Sequence, residues 1–381
     1  RSPHIVFPHV PGSDGIGRRW RVNGGENPND PRFVTLGKAA GVTLFAGLSR
    51  GVESRGIEVL FETPAKHLIA NESREVIGVQ AEGPDGEVRI KGRRGVILTC
   101  GGYEFNEEMQ LNYLPVRAYS YGNPGNTGDG IKMAQEVGAD LWHMNAVACG
   151  LGYRFPDLPA PMYSRVQSAG YIYVDQNGKR FVDESATDTH AMMFEVSHLD
   201  LKTLKYDRVP SYVIFDDDTC RRGPVGSTVL GTISDYYQWS SDNAEELKRG
   251  WIKVGNTFEE LAPQIGLVPE TLQETVAKWN MCCVGGYDPE FKRGLDSMEP
   301  IARPPFYAIA MWPCLINTQG GPKRNALAQV LDPNGKPIRR LYSAGELGSL
   351  WGILYPGAGN LSECLAFGRI AGRNATNEKP W

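Results

Sequence analysis

Leu341-Tyr-Ser-Ala-Gly-Glu346, followed by Tyr355-Pro-Gly-Ala-Gly-Asn360 and an apolar helical pattern from Leu361 to Asn374, is the stretch that decides the fold. It reads as a strand, a glycine turn and a helix start. Such a turn places backbone N–H groups and the positive end of a helix against an electron-rich ring or an anion. No Gly-x-Gly-x-x-Gly nucleotide fingerprint precedes it in the sequence.

Working outward, 381 residues are too many for one small core and fit two domains, or one large domain carrying an insertion. The net charge of −4 supplies no basic surface, which argues against nucleic acid as a partner. Apolar runs such as Gly95-Val-Ile-Leu-Thr99 fall far short of the roughly 20 residues needed to span a bilayer. The opening Arg1-Ser-Pro-His-Ile-Val-Phe-Pro has no sustained apolar core of a signal peptide. Seven cysteines, an odd count without regular spacing, suggest reduced thiols, and a cytoplasmic location is expected. The adjacent Cys282-Cys283 pair reads as two packed thiols, because neighbouring cysteines rarely make a relaxed disulfide or a chelate. No metal site is expected.

The cluster Gly12-Ser-Asp-Gly15-Ile-Gly17 looks like a phosphate loop, but Pro8 and Pro11 before it and Arg18-Arg19-Trp20 after it supply neither the strand nor the helix that such a loop needs. A helix is expected over 32–55 and a strand over Ile57–Phe61, extending to Glu62. Further strands are expected at Val76–Glu82 and Glu87–Lys91, joined by a hairpin turn at Asp85-Gly86. Gly95–Thr99 reads as a buried strand that stops at Gly101-Gly102, where glycine permits positive φ and close approach. A helix follows over 128–138, with Thr127 as its cap. From 148 to 305 aromatics and prolines increase, with a turn at 175–178 and helices near 244–250, 257–264 and 270–281. The fold class expected is α/β plus α+β, in three segments: 1–147, an inserted α+β domain over 148–305, and a return to the first domain over 306–381.

Six motifs stand in order along nearly the whole chain: Gly56-Ile-Glu-Val-Leu-Phe-Glu-Thr-Pro-Ala65, Val96-Ile-Leu-Thr-Cys-Gly-Gly102, Asn126-Thr-Gly-Asp-Gly130, Gly178-Lys-Arg-Phe-Val-Asp-Glu184, Thr318-Gln-Gly-Gly321 and Leu341–Asn374. This series resembles the superfamily of FAD-dependent fumarate reductases, succinate dehydrogenase flavoproteins and 3-ketosteroid 1,2-dehydrogenases. The resemblance implies a flavin-dependent oxidoreductase acting on CH–CH groups, with an FAD-binding Rossmann-like domain and an inserted cap. It also implies that about 130 family residues carrying the Gly-rich βαβ unit are missing from the N-terminus. A chain without them is expected to hold FAD weakly and to expose a sheet edge. At matching positions the resemblance implies flavin contacts from Ala65, Thr99, Gly101, Asp129, Glu346, Asn360, Leu361 and Ser362. The structural alternatives are a plain helix-start residue at Asp129 and a solvated strand end at Glu346.

Dicarboxylate-reducing members anchor their substrate with Arg and His, because carboxylates need cationic partners. This sequence has Gly150, Asp188, Asn317 and Pro356 at those places. It has instead Tyr355-Pro-Gly-Ala-Gly359, which looks like the ketosteroid-dehydrogenase pattern. There the resemblance implies that the Tyr355 hydroxyl and the Gly359 N–H hold a ketone oxygen, acidifying the neighbouring C–H or polarising an enone. Tyr153, Tyr163, Tyr171 and Tyr173 are candidates for proton transfer, each with a core aromatic as its alternative; His143, His190 and His198 read as structural or surface residues. The substrate expected is a small apolar ketone or enone of ketosteroid type, with an electron donor or acceptor that the sequence does not identify. The competing readings are a fumarate-reductase-like reductase of unsaturated carboxylates and a truncated, cofactor-free fragment.

Overall fold

The computed structural model describes residues 36–185, 190–227, 236–352 and 359–380, with side chains from residue 44 onward. The chain divides into two compact units, one of residues 1–109, 125–146 and 318–381, the other of 110–124 and 147–317.

The first unit is built on Pro337–Ser343, which pairs antiparallel with Gln329–Leu331 and parallel with Val96–Leu98, bringing Leu341 opposite Val96 and Ser343 opposite Leu98. Parallel pairing favours burial of both faces of a strand, in keeping with the apolar run at 96–98 and the burial of 341–344. The closing helix Gly359–Asn377 packs Ala371 and Ala375 against Tyr342 and Ala328. A separate antiparallel sheet joins Ala65–Ala70, Val76–Gly83 and Gly86–Lys91.

Several expectations shift here. Residues 57–61 form no strand; Phe61 is 80% exposed, and pairing begins only at Ala65, because the apolar run finds no sheet neighbour among the described residues. The hairpin turn is Pro84-Asp85, with Gly86 opening the next strand at φ 116°. The helix Asp129–Glu136 is entered through Gly128 at φ 80° without a side-chain cap, while the Thr127 hydroxyl donates to Asp129 Oδ2 at 2.8 Å. The helix Leu36–Glu53 agrees with the expected segment, whose first residues lie outside the described ones.

The second unit is organised by the thirteen-residue strand Phe306–Thr318, which pairs antiparallel with Ser211–Asp216 and Lys253–Gly255 and parallel with Tyr119–Ser120. Alternate faces of its sheet feed two clusters. Tyr153, Phe155, Val213, Phe215 and Ile309 form one; Ile172, Ile214 and Ala308 form the other with Val276 and Trp279 of the helix Pro269–Gly285. Of the candidate proton-transfer tyrosines, Tyr153 is fully buried, donating to Val225 O at 3.1 Å and accepting from Ser164, and Tyr173 lies in the same core. Burial pushes both phenols well above their ordinary range. Tyr171 is partly buried, with its hydroxyl donating to Glu184 O at 3.4 Å. All seven cysteines are free thiols.

Arg180 and Glu184 of the Gly178–Glu184 motif are buried and not helical. Arg180 donates twice to Glu184 at 2.9 Å and once to Asp288 at 3.0 Å, and Arg293 donates to Glu184 at 3.0 Å, with every side chain at most 3% exposed. Burial pushes Asp288 up, but the bond and charge of Arg180 outweigh it and leave the carboxyl below its usual range. Both guanidiniums lie 4.7 Å from the Trp279 ring. Glu184→Ala leaves two buried cations with one anion and is expected to destabilise this unit by about 3–5 kcal/mol. Chemical denaturation of wild type and variant measures the difference.

Candidate flavin site

Of the residues that the sequence singled out, Thr99, Gly101 and Glu346 lie at the end of the parallel strand pair. Val96–Leu98 runs into Thr99-Cys100-Gly101-Gly102, and Pro337–Ser343 into Ala344-Gly345-Glu346. Gly101, at φ 76°, is tight against Asn126: a Cβ there would lie 2.8 Å from Asn126 Cγ. At Gly102 a Cβ would lie 2.7 Å from both Glu104 Oε2 and Glu346 Oε1 and would also strike Thr318 Oγ1. The glycine pair is therefore required by close approach as well as by the turn.

Thr318 links the two acids. Its N–H donates to Glu346 Oε1 at 3.3 Å, its hydroxyl donates to Glu104 Oε2 at 3.4 Å, and the same hydroxyl accepts from Tyr103 N at 3.0 Å. Asn126 Nδ2 donates to Glu104 Oε1 at 2.6 Å. Burial pushes the Glu104 carboxyl up despite these bonds. Glu346 is pushed well up, first by burial and then by the negative charge of Glu104. Glu346 is thus no solvated strand end, yet it keeps part of its surface open.

Asp129 is exposed at the start of its helix, and Gly128 N donates to Gly102 O at 3.1 Å, which sets that helix start against the glycine turn. Gly130 is also close-packed, since a Cβ there would come within 2.9 Å of Leu347 and 3.0 Å of Cys100. Thr99, Leu361 and Ser362 are exposed. Ala65 opens its strand opposite Ala81, and His67 of that strand pairs with Glu136 at the far end of the Asp129–Glu136 helix. Ala65 is therefore not drawn into the Gly102–Glu346 cluster by these contacts. Tyr355, Pro356 and Asp188 lie outside the described residues.

The helix Gly359–Asn377 starts beside Trp351, whose ring would be 2.7 Å from a Cβ at Gly359. Arg324 fixes this start. It donates to Leu347 O at 2.8 Å and Gly345 O at 2.9 Å and pairs with Glu363, which also accepts from Ser349 Oγ at 2.6 Å and Leu350 N at 2.9 Å. His143 is structural, as expected, stacking on Trp142 with Nδ1 2.7 Å from Ser349 O. His198 lies at the surface beside Asp207. Among the described residues no group of His, Cys, Asp and Glu converges to hold a metal ion.

Comparison with known proteins identifies the family. The family of the FAD binding domain matches residues 9–361. The chain belongs to that family. A probable fumarate reductase of Shewanella frigidimarina is 29% identical over 342 residues, 89% of this chain and 54% of that protein. The 3-oxosteroid 1-dehydrogenase of Mycolicibacterium smegmatis is 30% identical over 383 residues, 94% of this chain and 64% of that protein. The crystal structure of 3-ketosteroid delta1-dehydrogenase from Sterolibacterium denitrificans, in complex with 1,4-androstadiene-3,17-dione, superposes with a TM-score of 0.76 at 27% identity, covering 90% of this chain and 64% of that one. The chain thus spans between about half and two thirds of these relatives, and its mixed α/β fold with several sheets is that of FAD-binding flavoproteins.

The residues present fit FAD, the cofactor of this family. Asn360 Oδ1 and Trp351 Nε1 are buried polar atoms without a hydrogen-bond partner at the helix start. Sequence reasoning missed Glu104, Asn126 and Trp351 as members of the site. An acid two residues after a glycine pair was the available signal for Glu104. Gly102→Ala is expected to lower stability by about 1–3 kcal/mol through overpacking against Thr318 and both glutamates, measured by thermal unfolding.

Proposed function

We propose that this protein is an FAD-dependent oxidoreductase that adds or removes hydrogen across a C–C bond adjacent to a ketone, on a bulky apolar substrate of ketosteroid type. In this reading the first unit is a Rossmann-like FAD-binding domain and the second is the substrate cap. The observation that carries it is the helix start at Gly359, where the first N–H groups have no partner within the helix. Directly before it stands Tyr355-Pro-Gly-Ala358. The Tyr355 hydroxyl and the Gly359 N–H then act as two donors on one carbonyl oxygen, stabilising the negative charge that develops there. The neutral Gly150 and Asn317 suit a substrate without carboxylates. The 3-oxosteroid dehydrogenase relatives support the same substrate class.

When bound, FAD supplies the hydride acceptor or donor. The residues of this chain hold and orient it: Glu346 accepts from the ribityl chain, the Thr99–Gly101 turn and Asp129 border it, and Asn360, Leu361 and Ser362 offer the positive end of the closing helix to the ring. The free thiols support a reducing compartment such as the cytoplasm. Among the described residues no helix is long and apolar enough to cross a membrane.

The fumarate reductase relative favours a second reading, reduction of an unsaturated carboxylate. Assay of wild type and Tyr355→Phe with an artificial electron acceptor or donor, across ketosteroids and enoates, separates the two. The expected outcome is turnover of ketosteroids and a fall in kcat of about 100-fold in the variant. Unchanged turnover in Tyr355→Phe sinks the carbonyl-polarising role, and turnover of enoates alone favours the second reading. A purified protein that stays colourless with added FAD is the cofactor-free fragment.

A further inference from the structure

Glu104 is 1% exposed, at the edge of the proposed flavin site, and nothing in the reading above uses it. Its carboxylate and that of Glu346 meet over the bare face of Gly102, bridged by Thr318. The hydroxyl hydrogen of Thr318 points to Glu104 and its N–H to Glu346, so Thr318 cannot supply a hydrogen between the two acids. Glu104 is fully buried and Glu346 largely so, and two like charges held this close there disfavour one another strongly. The neighbouring titratable groups add to this constraint. Glu363 raises Glu346 further, Cys364 is a thiol that burial pushes up, and Arg324 is committed to Glu363 and to the carbonyls of Gly345 and Leu347.

We propose that Glu104 and Glu346 share one proton, which is retained when flavin binds, so that Glu104 acts as a positioning residue holding Glu346 ready to accept from the ribityl chain. The inference rests on the proposed role of Glu346. One proton sits among four carboxyl oxygens; it bridges the pair, while an outward oxygen of Glu346 stays an acceptor. Loss of that proton creates a dianion beside the cofactor, so the linkage has a definite sign. As pH rises through the last dissociation of the pair, flavin binding must take the proton back up and the affinity falls.

The test is FAD titration of the purified protein across pH, followed by flavin fluorescence, with the proton count taken by calorimetry in two buffers of different ionisation enthalpy. Above the last dissociation of the pair, each pH unit is expected to weaken binding about tenfold, with one proton taken up. Glu104→Gln, which keeps a neutral donor beside Glu346, is expected to bind FAD with the low-pH affinity of wild type and no such slope. A flat wild-type profile without proton exchange, or an unchanged slope in Glu104→Gln, overturns the proposal while leaving the cofactor reading intact. Failure to bind FAD at any pH instead counts against the cofactor reading. The infrared carbonyl stretch of a protonated carboxyl then decides the shared proton: present near neutral pH and lost in both Glu104→Gln and Glu346→Gln supports it, and absent from wild type overturns it.

Discussion

The absence of a side chain at Gly102 is the constraint on which the first unit depends. Three segments distant in sequence meet there: the glycine turn after Val96–Leu98, Thr318, and Glu346 after Pro337–Ser343. A methyl group at Gly102 would separate them. Without it, the parallel strand pair delivers two backbone turns and two acids to one spot, and Gly128 N ties the Asp129–Glu136 helix to the same turn. The polar ends of the strands and the helix start therefore face a common point, the usual place for a ligand in an α/β sheet.

A second fixture holds the closing helix. Arg324 and Glu363 are both buried, and between them they take up two carbonyls, one hydroxyl and one backbone N–H of the 345–350 segment. Such a pair contributes less to net stability than to geometry, because the cost of desolvating both ions offsets much of their attraction. Its effect is to fix where the helix begins, and with it the N–H groups that the proposed chemistry uses. The two charge networks of the first unit thus differ in kind. Arg324–Glu363 is a compensated ion pair, whereas Glu104–Glu346 is a carboxyl pair that burial and mutual repulsion drive toward a shared proton.

The second unit solves a related problem with opposite charges. Arg180, Glu184, Asp288 and Arg293 compensate one another inside the unit, with both guanidiniums close to the Trp279 ring. Two apolar clusters rich in aromatic side chains fill much of the rest of its interior, and the buried phenols of Tyr153 and Tyr173 belong to one of them. This arrangement makes the Gly178–Glu184 motif a structural staple of the unit. The turn Asp175–Lys179 and the strand Tyr171–Val174 present Glu184 with the amide of Tyr173, and the chain beyond Pro269–Gly285 returns Asp288 and Arg293 to complete the set.

Sequence alone determined the family and the order of the elements around the glycine turns, because Gly-Gly, Gly-Asp-Gly and Ala-Gly-Glu record local backbone requirements that only those residues meet. It also supplied the motif order from which Gly150, Asp188, Asn317 and Pro356 are proposed to stand at the family's cationic anchor positions. It did not determine the ends of strands that depend on a partner: Ile57–Phe61 carries a strand pattern yet pairs with nothing among the described residues, since β propensity reflects neighbours as much as backbone. Nor did it reveal that Glu104 meets Glu346, 242 residues away in the numbering, or that Arg180 and Glu184 are buried. Those facts arise from long-range packing, where the protonation and pairing of a charge are set by burial and by groups that no local spacing brings into view.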